Sequence, residues 1–248
     1  MFHDVKDTEG GTWSISVEHF RSILLYVIQN DYTPVFFEDL VNFVDGKSEL
    51  PEKPVVITLD DGYFSNYSHV LPVITELGIP VSIFLCCGMV REEGTVPNTD
   101  KNILSKMSLD ELKIMQESPY VHIYSHTFAL HGTNLSGSSV PRDNVLPLET
   151  EDKEAYRKVF TADCVFAEAV LHSVGADLQT AFSYPSGKHH PWTEEILCER
   201  GCRVSVTTDC SHRNRIVQGD SSSLLLLGRM NVNDETTEAI LKEYLERD

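Results

Sequence analysis

Val55-Val56-Ile57-Thr58-Leu59-Asp60-Asp61-Gly62 is the stretch on which the fold of this chain turns. Its first five residues are apolar or β-branched and follow Pro54, the composition of a buried strand. Asp60-Asp61-Gly62 then makes a turn at the strand's carboxyl end, where parallel α/β folds place their chemistry. Asp-Gly is ordinary turn chemistry, because an Asp side chain bonds its own backbone and Gly accepts positive φ. Two adjacent carboxylates exceed what a turn requires. Side chains leaving a turn point in different directions, so one can bind a cation while its neighbour accepts a proton, a division suited to metal-assisted hydrolysis.

A second cluster lies further along. Val121-His122-Ile123-Tyr124 reads as another strand, and Ser125-His126-Thr127-Phe128-Ala129-Leu130-His131-Gly132 follows at its end. A lone His is more often structural, but two in one turn-like segment, opposite a pair of Asp, form a His/His/Asp set. Imidazole nitrogen with carboxylate oxygen is the usual ligand mixture of a catalytic zinc site with one position left for water. Residues five apart on a regular helix are about 140° apart in projection. The histidines therefore belong on a loop or distorted turn, not on an H-E-x-x-H type helix.

Composition bounds the remainder. The chain has 248 residues, 41% hydrophobic and 23% charged, enough for one large α/β domain over residues 1–248. A net charge of −18 argues against nucleic acid or an anionic membrane surface as partner, since both recruit basic patches. No P-loop, GxGxxG or run of transmembrane length occurs. The six cysteines lack zinc or Cys-x-x-Cys spacing and read as buried thiols. No signal peptide is visible, although an export signal removed upstream would leave no trace.

Strands and helices alternate along the chain. Helices are expected from Ser16 to Gln29, with Val17, Phe20, Leu24, Val27 and Ile28 as its apolar stripe, and over Phe37–Val44, Tyr63–Leu77, Glu149–His172, Trp192–Arg200 and Asp234–Glu246. Ser108-Leu109-Asp110-Glu111 is a capping box opening a helix to Glu117. Extended segments are expected at Thr33–Phe36, Ile79–Cys86, Tyr120–Tyr124, Thr180–Tyr184, Cys202–Thr208 and Leu224–Arg229. Gly88–Ser105 reads as a polar crossover bordering a groove, and Gly132–Pro147 as a substrate loop or a solvated connection. Repeated strand–helix units favour a parallel barrel or sheet.

Thr58-Leu59-Asp60-Asp61-Gly62, the Ser-His-Thr segment with its second His, and Ser183-Tyr184-Pro185-Ser186-Gly187 resemble, in order, the first three motifs of polysaccharide deacetylases, the carbohydrate esterase group sharing the NodB homology domain. Met1-Phe2-His3-Asp4 resembles the group's opening motif, and Gly228-Arg229-Met230-Asn231-Val232 a late strand. The resemblance implies a distorted (β/α) barrel with fewer than eight units. It implies Asp61, His126 and His131 as ligands of one divalent metal ion, zinc first, with cobalt and nickel accepting the same set. Asp60 would be the general base, and the main-chain N–H of Ser186 the oxyanion donor. An N-acetylglucosamine-containing polysaccharide would be the substrate and acetate the product, in an extracellular or envelope setting.

Three departures qualify that resemblance. The histidines are five apart rather than four, as in the branch resembling poly-N-acetylglucosamine deacetylases. Ser183 stands where the group commonly has an Arg that orients the base, so Asp60 needs a partner from elsewhere. No His follows His212, so the group's late acid is missing. His3 is the first replacement, with a structural role at a strand end as its alternative and His189 and His190 in reserve. Two rival functions stand beside the deacetylase. One is another C–N hydrolase of the same fold, acting on a small amide or peptidoglycan, and the other is a catalytically weak glycan-binding module.

Overall fold

The computed structural model describes residues 1–98, 104–132, 142–176 and 179–247. In chain order the elements are β1 (Asp4–Lys6), β2 (Ser14–Ser16), α1 (Val17–Gln29), β3 (Thr33–Pro34), α2 (Phe37–Val44), β4 (Pro54–Val55), β5 (Thr58–Asp60), α3 (Leu71–Leu77), β6 (Val81–Leu85), α4 (Leu109–Glu117), β7 (Val121–Ser125), α5 (Lys153–Ser173), β8 (Ala181–Ser183), α6 (Pro191–Glu199), β9 (Val204–Val206) and α7 (Glu238–Glu246). Strands β5 to β9 form a parallel sheet in sequence order, with Asp60 opposite Phe84 and Ser125 opposite Phe182. Single bridges extend it at both edges, Phe2 beside Leu59 and Leu227 beside Val206. The Val232 N–H donates to the Met1 carbonyl at 2.9 Å, so the two edge segments meet. The result is the expected distorted (β/α) barrel, curled from five strands.

Period-two alternation sorts the side chains. Leu59, Ile83, Leu85 and Ile123 face outward into a core shared with α1, α3, α4 and α5. Phe84, Tyr124, Val204 and Val206 face inward, where Phe37, Leu40 and Val44 of α2 fill the barrel. Phe182 and Tyr184 pack outward against Tyr156, Phe160 and Ile196 of α5 and α6. Thr58 and Asp60 share the inward parity, so a carboxylate at the end of β5 enters the barrel.

Several expected elements are trimmed for identifiable reasons. The helix expected from Tyr63 starts one residue later, at Phe64, because Tyr63 bridges Lys106 while the Phe64 N–H donates to the Ser105 carbonyl. The run is interrupted by a π-helical turn, Asn66–Val70, in which the Leu71 N–H donates to the Asn66 carbonyl, just before Pro72, which has no N–H to give. Helix α5 starts only after Asp152, whose carboxylate caps the Ala155 N–H. Helix α7 starts after Thr237. Leu224–Arg229 is not a strand: Leu226 is left-handed (φ 57°), and Leu227 alone pairs with β9. In α1 the buried stripe takes Ile23, and Ile28 is exposed. The Ser108 capping box forms as expected. Cys86, Cys87, Cys164 and Cys202 are buried thiols, whereas Cys198 and Cys210 are exposed. Residues 133–141 of the Gly132–Pro147 connection and 99–103 of the crossover lie outside the described residues. No helix among the described residues is long and apolar enough to cross a membrane.

Candidate active site and metal centre

Asp60 is 2% exposed, at the inner lip of the barrel. Its two oxygens are gripped by Arg229, Nη1 to Oδ1 and Nη2 to Oδ2, each at 2.7 Å. Ser183 Oγ donates to Asp60 Oδ2 at 3.2 Å and accepts from Arg229 Nη2 at 2.8 Å. Arg229 is itself fixed, donating to Thr58 Oγ1 (3.1 Å) and to the Thr207 carbonyl (3.2 Å), with its guanidinium 5.3 Å from the Phe84 ring centroid. Burial alone would push the Asp60 carboxyl up. The Arg229 charge and its paired hydrogen bonds overcome it and hold the group well below the usual carboxylate range. Asp60 is thus ionised and oriented by a planar, bidentate cation.

Asp61 leaves the strand in the left-handed region (φ 73°), followed by Gly62 (φ 67°), where a Cβ would lie 2.3 Å from Leu85 Cδ1. This turn directs the two carboxylates to different partners. Asp61 Oδ2 accepts from the Tyr63 hydroxyl at 2.9 Å and lies 3.8 Å from Lys106 Nζ, which sits 3.5 Å over the Tyr63 ring. Asp61 Oδ1 faces His131 Nε2 at 3.4 Å, His126 Nε2 at 3.7 Å and Cys86 Sγ at 3.5 Å. Against burial, the His131 hydrogen bond and the Lys106 charge keep this carboxyl well below its ordinary range.

The histidine segment leaves β7 as an irregular loop, as its five-residue spacing requires. The His126 N–H donates to the Leu85 carbonyl at 2.9 Å, and His126 Nδ1 lies 2.7 Å from the Ser183 carbonyl. A carbonyl only accepts, so Nδ1 carries the proton and the Nε2 lone pair faces Asp61, the arrangement of a metal-ligating imidazole. Burial pushes the His126 pKa down to about 4, although Asp60 and Asp61 pull it upward. Its ring is neutral near pH 7. Thr127 is left-handed (φ 78°), and the loop beyond it is fastened by Asp163 of α5, which accepts the Phe128 and Ala129 N–H groups at 2.9 and 2.7 Å. Burial pushes Asp163 up to about 6 while those two donors oppose it.

One ligand atom each from Asp61, His126 and His131 lies within 4.8 Å of the others. Ligands about 2.1 Å from a tetrahedral ion are roughly 3.4 Å apart, close to the two Asp61 spacings. The donor chemistry and the geometry fit a divalent cation with three protein ligands.

The family model described as "Polysaccharide deacetylase" matches residues 47–205, which include Asp60, Asp61, His126, His131 and Ser183 but not Arg229. This chain belongs to the polysaccharide deacetylase family. It is therefore an enzyme of the carbohydrate esterase type. YxkH of Bacillus subtilis, a protein named for the same family, is 23% identical over 90% of this chain and 72% of its own length. The poly-β-1,6-N-acetyl-D-glucosamine N-deacetylase of Escherichia coli is 33% identical over 81 residues, 32% of this chain and 12% of that protein. Among solved structures, IcaB from Ammonifex degensii superposes with a TM-score of 0.75 at 24% identity, covering 99% of this chain and 95% of that one. A de-N-acetylase from Aggregatibacter actinomycetemcomitans gives 0.78 at 22% identity, covering 98% and 97%. These structural likenesses show the fold.

The deacetylase motifs place the other candidates unequally. His3 lies in the segment pairing with β5 and is within electrostatic range of both Asp60 and Asp61. Burial lowers its pKa and the two carboxylates oppose that effect; its Nδ1 is buried without a hydrogen-bond partner. Ser186 is exposed and left-handed (φ 56°) at the end of β8, and Gly187 behind it lies so close to β9 that a Cβ would meet Thr208 Oγ1 at 2.2 Å. His190 caps α6 by accepting the Trp192 N–H, packing beside Trp192 and Tyr156. His189 is exposed, near the Gly187 carbonyl. Sequence reasoning placed Arg229 only within a late extended segment and missed its role. The usable signal was a single Arg beside Gly228 in that segment, set against the Arg missing at Ser183. Nothing in the sequence pointed to Lys106, Tyr63 or Asp163.

Proposed function

We propose that this polysaccharide deacetylase is a metal-dependent enzyme that hydrolyses N-acetyl groups from an N-acetylglucosamine-containing glycan and releases acetate. The observation that carries this reading is the convergence of Asp61, His126 and His131 beside an ionised Asp60 held by Arg229. These three side chains would hold one divalent ion, zinc before cobalt or nickel by donor type. When bound, the ion supplies an acidified water and a polarised acetamide carbonyl. Asp60 takes a proton from the attacking water as its oxygen bonds to the carbonyl carbon. The Ser186 main-chain N–H donates to the developing oxyanion. His3 returns a proton to the departing nitrogen as the C–N bond breaks, leaving acetate and a free amine.

The five-residue histidine spacing and the match to the E. coli N-deacetylase support a poly-N-acetylglucosamine type of substrate. The same likeness supports action at the cell envelope or outside the cell, by residues 1–248 as one catalytic domain. A binding-only module drew its motive from the Arg absent at Ser183, and Arg229 removes that motive. Acetate release should be measured on poly-β-1,6-N-acetylglucosamine, chitin oligomers, peptidoglycan and small amides, with metal analysis of the same preparation. Release from the glucosamine polymer, lost in Asp60→Asn and His126→Ala, is expected. Release from small amides alone would replace this reading by the small-amide hydrolase, and a metal-loaded protein that binds glycan without releasing acetate would refute it.

A further inference from the structure

Trp13 is the large side chain near the site that the reaction leaves unused. It is 57% exposed, on the connection between β1 and β2. A singly exposed hydrophobic residue needs no explanation in general. This one is presented on a loop fastened along its length. Asp234 accepts from the Gly10 N–H and from both the main-chain N–H and hydroxyl of Ser16. The Thr12 carbonyl accepts from the Asn231 and Asn233 side-chain amides, and the Trp13 carbonyl from the Asp4 N–H. Gly10 allows the loop to close, because a Cβ there would lie 2.2 Å from the Ser14 carbonyl oxygen. The loop that carries the indole is therefore fixed before any ligand arrives, and little backbone ordering is left to oppose binding.

The position of that indole gives it a use. Its ring and the His3 ring meet in a T-shaped pair, centroids 5.0 Å apart at 68°. His3 in turn follows Phe2, which bridges Leu59 and accepts the Asp60 N–H at 2.9 Å. A broad apolar face thus borders the group assigned to the departing amine. Pyranose rings carry C–H-rich faces that lie flat on aromatic surfaces, and Trp offers the largest such surface at little conformational-entropy cost. We propose that Trp13 is a stacking platform for the sugar adjoining the one being deacetylated, so that the enzyme favours chains over single sugars. This subsite rests on the glycan reading above.

The test compares Trp13→Ala and Trp13→Phe with the parent on three substrates: a β-1,6-linked N-acetylglucosamine pentamer, the monosaccharide, and 4-nitrophenyl acetate. The Ala variant should raise KM for the pentamer about tenfold with kcat little changed, and leave the small ester untouched, while Phe restores most of the loss. Trp13 and Trp192 are the chain's two tryptophans. In a Trp192→Phe background, the pentamer should therefore shift the emission of Trp13, and the monosaccharide should not. Equal losses on the pentamer and the small ester would make Trp13 a support for His3 and overturn the subsite. An unchanged KM with unmoved emission would overturn it as well. A parent that releases acetate from the ester but from no glycan would bring down the glycan reading together with this subsite, whereas an active parent indifferent to Trp13→Ala sinks the subsite alone.

Discussion

Two carboxylates of the barrel interior are kept ionised by different partners. At the barrel's carboxyl end Asp60 is clasped by the permanent cation Arg229. At the other end Glu38 of α2 accepts from the Tyr124 hydroxyl at 2.7 Å and lies 2.9 Å from His122 Nδ1, the His122 ring stacked on Phe36 at 3.7 Å. Burial would raise Glu38 too, but hydrogen bonds from His122 and Tyr124 lower it instead. The backbones differ as well. Of the five left-handed non-glycine residues among the described ones, Asp61, Thr127 and Ser186 lie in the three motifs around Asp60, and none lies beside Glu38. Strained backbone collects where side chains are aimed at a reaction, whereas a relaxed helix suffices to plug the barrel.

Breaking the upper end should have the largest effect. Asp61→Ala and His126→Ala are expected to purify without bound divalent metal and to lose about 10³-fold or more in acetate release. Asp60→Asn should retain the metal yet lose roughly 10²–10⁴-fold in kcat, which separates base from ligand. Arg229→Met leaves a buried carboxylate without its cation and should cost about 3–5 kcal/mol in denaturant unfolding. Its activity profile should also change in a definite direction. Arg229 holds the Asp60 pKa down, so removing it raises that pKa, and the acid limb of kcat/KM should move to higher pH. An unmoved limb would detach Asp60 from the base role.

Smaller effects sharpen the contrast. Asp163→Asn removes one acceptor from the two N–H groups fastening the histidine loop, and should weaken metal affinity about tenfold while leaving metal-saturated kcat near the parent value. Glu38→Gln should lower stability by about 1 kcal/mol and leave activity unchanged. The folded pKa of Glu38 lies below its ordinary 4.5, so its contribution is complete above that pH and fades as pH falls through the folded value. Parent and Glu38→Gln melting curves should accordingly converge in acid. Loss of activity in Glu38→Gln as large as in Asp60→Asn would erase the distinction between the two ends.

Features governed by local rules were legible in the sequence. The buried strand Val81–Leu85, the Ser108 capping box and the Asp61-Gly62 turn each depend on neighbours a few residues away, and each forms as read, whereas the stretch expected as one strand over Val55–Leu59 divides into β4, which pairs with β3, and β5, which pairs with β6 and runs on through Asp60. The candidate ligands were legible because Asp61 and His126 each directly follow a strand end and His131 lies on the same short loop as His126. Arg229 was not, since it lies 169 residues from Asp60 and the barrel's closing segment forms one bridge rather than a strand. Asp163 looks like any polar residue on α5, and only the tertiary approach of the loop turns it into an anchor. The last helix starts at Glu238 rather than Asp234, because Asp234 is recruited by the Gly10 turn and Ser16.

The closing segment has a consequence for how competence is acquired. Asp60 is laid down early in synthesis, and the cation that keeps it charged arrives only when residues 227–232 dock between β9 and Met1. Until then a sequestered acid has nothing to hold its proton away, and an unfinished molecule lacks the proposed base. Catalytic readiness is thereby tied to closure of the barrel by this segment.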